Sequence, residues 1–311
     1  MKKQLLFTLA LVGAFTAAKA QAPDTARLMV HYKFIYVNDT TDRAHPHTEN
    51  MVLYVGKSSG AYWSYDMIQS NEQFEKAWAT AVASSPDGHP RINRMNRGSQ
   101  TQYFQYPNMQ KLLVKDNLLM NSYLVENPLP AIDWKISSDT ATFVGLHCQK
   151  ATCHFKGRDY IAWFSPDLPV RVGPWKLNGL PGVIVDARDV KNEVIFQFDG
   201  IEKVAYKPTK FIGGDTAPKD LDPILRDLNY DPNIIAPPAG TIKTTQPEFD
   251  KLKAAMQKDP QAFANAIMAA NSADNNAPRM DHIIIKTKGP GGGPGKPGGN
   301  AINNPIELPE K

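Results

Sequence analysis

Thirteen residues, Gly173-Pro174-Trp175-Lys176-Leu177-Asn178-Gly179-Leu180-Pro181-Gly182-Val183-Ile184-Val185, restrict what this chain can fold into more than any other stretch. Proline fixes φ and removes a backbone donor, and glycine admits positive φ. Three glycines and two prolines among Trp175, Leu177 and Leu180 therefore describe a rigid elbow that feeds a Val-Ile-Val strand. The elbow offers no nucleophile, Lys176 is its only titratable group, and no Lys-Ser/Thr ending makes it a phosphate loop. It reads first as an architectural corner and second as a ligand-facing turn.

Strand patterns dominate on both sides of the elbow. Residues 27–37 alternate with Leu28, Val30, Tyr32, Phe34 and Tyr36 on one face. Residues 51–57 and 61–65 flank Ser58-Ser59-Gly60, a hairpin signal. Short strands are expected at 102–106, 111–115, 118–125, 134–136, 141–148, 151–155, 160–164, 183–188 and 193–206. Close, regular spacing of this kind predicts an antiparallel meander, either an open curved sheet or an incomplete barrel. One helix is expected at 71–83, capped by Ser70 to Gln73.

The ends have a different character. Met1-Lys2-Lys3, an apolar core and Ala18-Lys19-Ala20 read as a secretory signal over residues 1–20, removed before Gln21. Loss of Lys2, Lys3 and Lys19 lowers the formal charge from +4 to +1, so no global field gathers nucleic acid or an anionic membrane. No later stretch approaches a transmembrane length. The β domain is expected over 21–210 and a helical extension packed on it over 211–285, with helices starting at Asp222-Pro223, Pro247 and Asp259-Pro260. Residues 286–311, with the Gly/Pro run 289–299, are expected to be a disordered tail.

The two cysteines lie in His147-Cys148-Gln149-Lys150-Ala151-Thr152-Cys153-His154. Three readings stay open: a Cys148–Cys153 disulfide, suited to an exported chain; two unpaired thiols; or a copper or zinc site using His147, Cys148, Cys153 and His154. On one straight strand, residues five apart face opposite ways and lie about 16 Å apart, so a bond needs a turn at 149–152. Arg158, beside Asp159, and Trp163 and Trp175 nearby in sequence are the candidate ligand contacts, although an Arg-Asp pair also fixes turns. His45 and His47 read as solvated loop histidines, and Asp186 as part of a solvated sheet face. No G-x-S-x-G or H-E-x-x-H sequence is present.

Gly179-Leu180-Pro181-Gly182-Val183-Ile184, after Gly173-Pro174-Trp175-Lys176-Leu177, resembles the signature of the GLPGLI family, exported proteins of Bacteroidetes. Residues 155–164, Asp167-Leu168-Pro169-Val170 and the ending Asn304-Pro305-Ile306-Glu307-Leu308 are similar to that family as well. Val183 stands where the family usually has leucine. The resemblance implies a continuous strand through the two cysteines; it brings no activity to any residue. The expectation is an exported envelope protein, periplasmic or on the outer surface. It would be a non-catalytic binding or accessory protein without cofactor, for a small apolar ligand, a peptide or an envelope partner. Metal handling is the alternative, and an uncharacterised hydrolase the third reading.

Overall fold

The computed structural model describes residues 24–84, 98–119, 121–204, 234–273 and 302–310. The signal segment 1–20, the helix expected at Asp222-Pro223 and the Gly/Pro run 289–299 lie outside them.

The fold is mainly β, organised on a twelve-stranded sheet that stays open. One meander comprises β2 (Leu28–Tyr36), β3 (His47–Val55), β4 (Gly60–Ser64), β5 (Gln102–Tyr106), β6 (Lys111–Leu118) and β7 (Asn121–Pro128). A second comprises β8 (Lys135–Phe143), β9 (Leu146–Phe155), β10 (Arg158–Ser165), β11 (Val183–Asp189) and β12 (Val194–Lys203). The two join where β12 pairs with β2, from Val194 against Tyr36 to Lys203 against Leu28. All these pairs are antiparallel. The short β14 (Ile242–Thr244) lies parallel to β7 at one edge and β8 forms the other, so the sheet is mixed rather than wholly antiparallel. β1 (Asp24–Thr25) and β13 (Ile234–Ile235) form a separate two-stranded ladder.

Several expected boundaries moved, two of them for clear local reasons. Residues 141–148 are not one strand, because the chain turns at Val144 and Gly145, both at positive φ (47° and 83°), to enter β9. This type of two-residue hairpin turn has positive φ at both central positions, and valine is a poor signal for it. The first helix, α1 (Tyr65–Ser84), begins six residues earlier than expected: the Ser64 hydroxyl accepts the Met67 N–H at 3.0 Å, so Ser64 is the cap instead of Ser70. Asp259 caps α3 (Pro260–Ala273) as its sequence indicates, accepting the Ala262 N–H at 2.9 Å.

Three apolar clusters use the sheet. On one face Val30, Tyr32, Leu53 and Tyr62 meet Tyr160, Phe164, Ile184 and Phe196, with Trp175, Leu177 and Leu180 of the elbow in the same cluster. The opposite face buries Val52, Tyr54, Trp63 and Phe104 with Tyr65 and Ile68 of α1. A third cluster sets Tyr123 and Val125 of β7 against Phe249 of α2 (Gln246–Lys258) and Phe263 of α3. The helices thus cover two of the apolar faces that strand alternation makes, and the elbow fills the third. No described helix is long and apolar enough to cross a membrane.

Candidate functional site

The elbow occupies the interior of the main cluster, and its backbone is held by side chains. Gln105 of β5 is wholly buried; its amide donates to the carbonyls of Gly173 (3.0 Å), Trp175 (2.9 Å) and Leu177 (3.3 Å) and accepts the Gly173 N–H (3.1 Å). Asn178 donates to the carbonyls of Pro130 and Lys176, and the Trp134 indole donates to the Asn178 carbonyl at 2.8 Å. Trp175 sits at φ 54°, rare for a bulky residue, where Phe196 stacks on its ring and Phe155 meets it edge-on.

The signature glycines serve two separate needs. Gly179 takes φ 95° with nothing but the Trp134 ring within reach of an added Cβ. At Gly182 the need is space, since an added Cβ would lie 2.1 Å from the Ser165 carbonyl oxygen. Gly182→Ala is expected to destabilise the chain by about 1–3 kcal/mol through this backbone clash, measured by chemical denaturation. An unchanged denaturation midpoint would remove the close approach as the reason for this glycine.

Arg158 opens β10 and is buried, but its partner is not Asp159. Its guanidinium donates from Nη1 to Asp189 (2.7 Å) and Glu193 (3.1 Å). The remaining donors go to the C-terminal segment: Nη2 to the Asn304 side chain (2.7 Å) and the Pro305 carbonyl (2.9 Å), and Nε to the Ile306 carbonyl (3.0 Å). All five donors are engaged. Burial alone would raise the Glu193 pKa, but bonds from Arg43, Arg158 and Asn304 outweigh it and hold the carboxyl below its ordinary value. Asp159 instead pairs with His154, whose pKa the same contact raises.

Residues 302–310 are therefore an anchored strap, which corrects the expectation of a tail disordered throughout 286–311. The strap crosses the end of β2 and the turns after β9 and β11. The N–H groups of Asn303 and Asn304 donate to the Asn38 carbonyl, and the Leu308 N–H to the Lys156 carbonyl at 3.0 Å. Ile306 packs on the main cluster, and Glu307 pairs with both Lys176 of the elbow and Lys156. An apolar pair, Ile306 and Leu308, inside a polar tail was the sequence signal for docking.

The other candidate residues are dispersed. Trp163 lies on the face of β10 opposite Tyr160 and Phe164, against Phe143 at 6.0 Å, so it points away from Arg158, although it packs at the edge of the cluster that holds Trp175. β9 runs unbroken through the cysteines, and Cys148 and Cys153 are both free and buried. Straight pairing with β10 keeps them on opposite faces, which overturns the disulfide reading. His147 bonds Asp167 while His154 bonds Asp159 and Glu310, so the four proposed metal ligands do not converge. Among the described residues no group of three or more His, Cys, Asp or Glu is placed to hold a metal ion.

Burial pushes the Cys148 thiol up to about 11 and the Cys153 thiol up to about 12. Both are expected to react with a disulfide reagent at pH 8 at least about 100-fold more slowly in the folded chain than after denaturation. Two thiols should then titrate per chain without reductant. Fewer than two would restore the disulfide.

Asp186 is buried rather than solvated, because its carboxylate accepts the Phe198 N–H and the Arg188 guanidinium, each at 3.1 Å. His47 is exposed, as read from the sequence, but it lies in a strand rather than a loop. It opens β3 and bonds the buried Glu49 at 3.2 Å, and Glu49 also accepts the Ser99 N–H and hydroxyl. The Glu49 contact raises the His47 pKa; for Glu49, burial is outweighed by bonds from His47, Ser64 and Ser99, which lower it. The pair sits in a polar cleft of about 430 Å³ beside α1, with Asp66, Gln69, Gln73 and Ser99 among its walls. Its residues are far apart in sequence and carried no common motif.

Neither a protein-family model nor a curated protein matches the chain. Among solved structures it is similar to PNGF-II in the C2 and P21 space groups, with TM-scores of 0.46 and 0.45 and 9% identity in both. In each case the match covers 73% of this chain and 32% of that chain, so the chain spans about a third of the length of PNGF-II.

Proposed function

We propose that this is an exported cell-envelope protein of the GLPGLI type, periplasmic or on the outer surface, that serves as a non-catalytic binding or accessory protein for an envelope partner. The observation that supports this reading is where the buried polar chemistry goes. Gln105, Asn178, Arg158 and Asn304 spend their hydrogen bonds on holding the elbow and the strap. The thiols are suppressed by burial and the histidines beside them bond other carboxylates. Elbow side chains fill the main apolar cluster, so an envelope partner is favoured over a small apolar ligand. The His47–Glu49 cleft then offers a polar contact surface, with Gln69 and Gln73 along α1.

The test has two arms. N-terminal sequencing of the chain recovered from the envelope fraction should begin at Gln21. Immobilised mature chain should retain an envelope component that Gln73→Arg, which fills the cleft with a bulky cation, releases. A cytoplasmic chain starting at Met1, or an envelope extract from which nothing is retained, overturns the reading.

A further inference from the structure

The strap is recognised in the manner of a peptide ligand. Every polar atom of Asn304 is read by the β domain. Its side-chain oxygen accepts from Arg158 at 2.7 Å, and its amide donates to the Val37 carbonyl at 2.7 Å and to Glu193 at 3.1 Å. Its N–H donates to the Asn38 carbonyl, and its carbonyl accepts the Tyr36 hydroxyl. Arg158 also reads the next two carbonyls, an apolar site takes Ile306, and Lys156 and Lys176 flank Glu307. Gly157 lets the strap approach, since an added Cβ there would lie 2.7 Å from the Leu308 and Pro309 carbonyl oxygens.

Two further observations separate this ligand from the chain that carries it. Among the described residues, the strap's hydrogen bonds and ion pairs all go to β2, β9, the start of β10, the turns after β2, β9 and β11, and the elbow. None goes to α2 or α3, which precede it. Between Ala273, the end of α3, and Ile302 lie 28 residues that include the Gly/Pro run 289–299. Contacts made this way are the same whether the segment arrives from its own chain or from another. Only the effective concentration set by the connection favours the former.

We propose that the Arg158 site is a receptor for an extended Asn-Pro-Ile-Glu-Leu segment, that residues 302–310 are its resident ligand, and that a second copy of the chain can supply the same segment. Recognition combines an asparagine side chain read on both its atoms, backbone carbonyls presented by an extended proline-containing chain, and an anionic residue two places beyond the proline. This inference does not depend on the envelope reading.

The full chain with a specific protease site placed inside 289–299 tests it. After cleavage, the C-terminal fragment should remain bound and should exchange with an excess of labelled peptide of residues 301–311. A peptide carrying Asn304→Asp keeps the shape but sets a carboxylate against Glu193 and loses two donors. It should bind about 100-fold more weakly or worse. Two intact chains with different tags should exchange straps at high concentration and copurify, unless both carry Asn304→Asp. Release of the fragment without peptide binding, or equal binding of the two peptides, overturns the receptor. A fragment that stays but never exchanges, or loss of the fold on cleavage, shows a fixed structural element and overturns it too. Peptide binding without copurification of tagged chains overturns the role of the second copy.

Discussion

Arg158→Ala is expected to lower the unfolding free energy by about 3–5 kcal/mol, because it leaves the buried Asp189 without its counter-charge and Glu193 with only Arg43. Asp189 and Glu193 are both nearly inaccessible, and Arg158 is the cation they share inside the fold. The substitution also takes donors from the Asn304 side chain and from the carbonyls of Pro305 and Ile306. Asp189 has a second duty, accepting the N–H groups of Glu193 (2.7 Å) and Val194 (3.1 Å), so the hairpin after β11 should loosen with it. In a thermal melt the expected Tm drop is roughly 10 °C. Arg158→Lys should recover only part of it, since one ammonium cannot reach five acceptors arranged for a planar fork. A loss below about 1 kcal/mol for the alanine variant would show that the carboxylates find water or another cation, and the cluster would cease to be the anchor of the strap.

Gln105→Ala should cost about 3–4 kcal/mol and act on the elbow, 68 residues away in sequence. It removes the donor to three elbow carbonyls and the acceptor of the Gly173 N–H in a place with no access to water, and it adds a cavity. Gln105→Met separates the two contributions: methionine refills the volume but leaves the backbone groups unpaired, so about 2 kcal/mol should remain lost by denaturant titration. Full recovery by methionine would assign the position to packing alone. Faster amide hydrogen exchange across residues 173–182 in the alanine variant, with the sheet intact by circular dichroism, would locate the damage at the elbow.

Much of the fold could be read from the chain because alternation is a local property. β2, β4, β5 and β10 lie close to where apolar periodicity put them, and Asp259-Pro260 starts a helix as a cap followed by proline should. The misplaced boundaries fall where the local signal was weak or misleading: Val144 at positive φ, and Ser64 capping a helix that Ser70 looked better suited to cap. Within the site the same division holds. The elbow was visible because glycine and proline carry backbone information in the residue type itself. Arg158 was visible as an unusual residue, yet its pairing was not, since the adjacent Asp159 turned out to serve His154.

The sequence by itself determined a chain of many short strands around a stiff corner, with helices near its C-terminal part, because periodicity, turn chemistry and caps act over a few residues. Only the tertiary structure decided what that corner is for. Gln105 reaches across from β5 to hold it, Asn304 returns from the far end of the chain to complete Arg158, and β9 keeps Cys148 and Cys153 apart on opposite faces. These contacts join residues separated by tens to hundreds of positions, and whether a buried polar group is satisfied depends on what the folded backbone brings within hydrogen-bond distance.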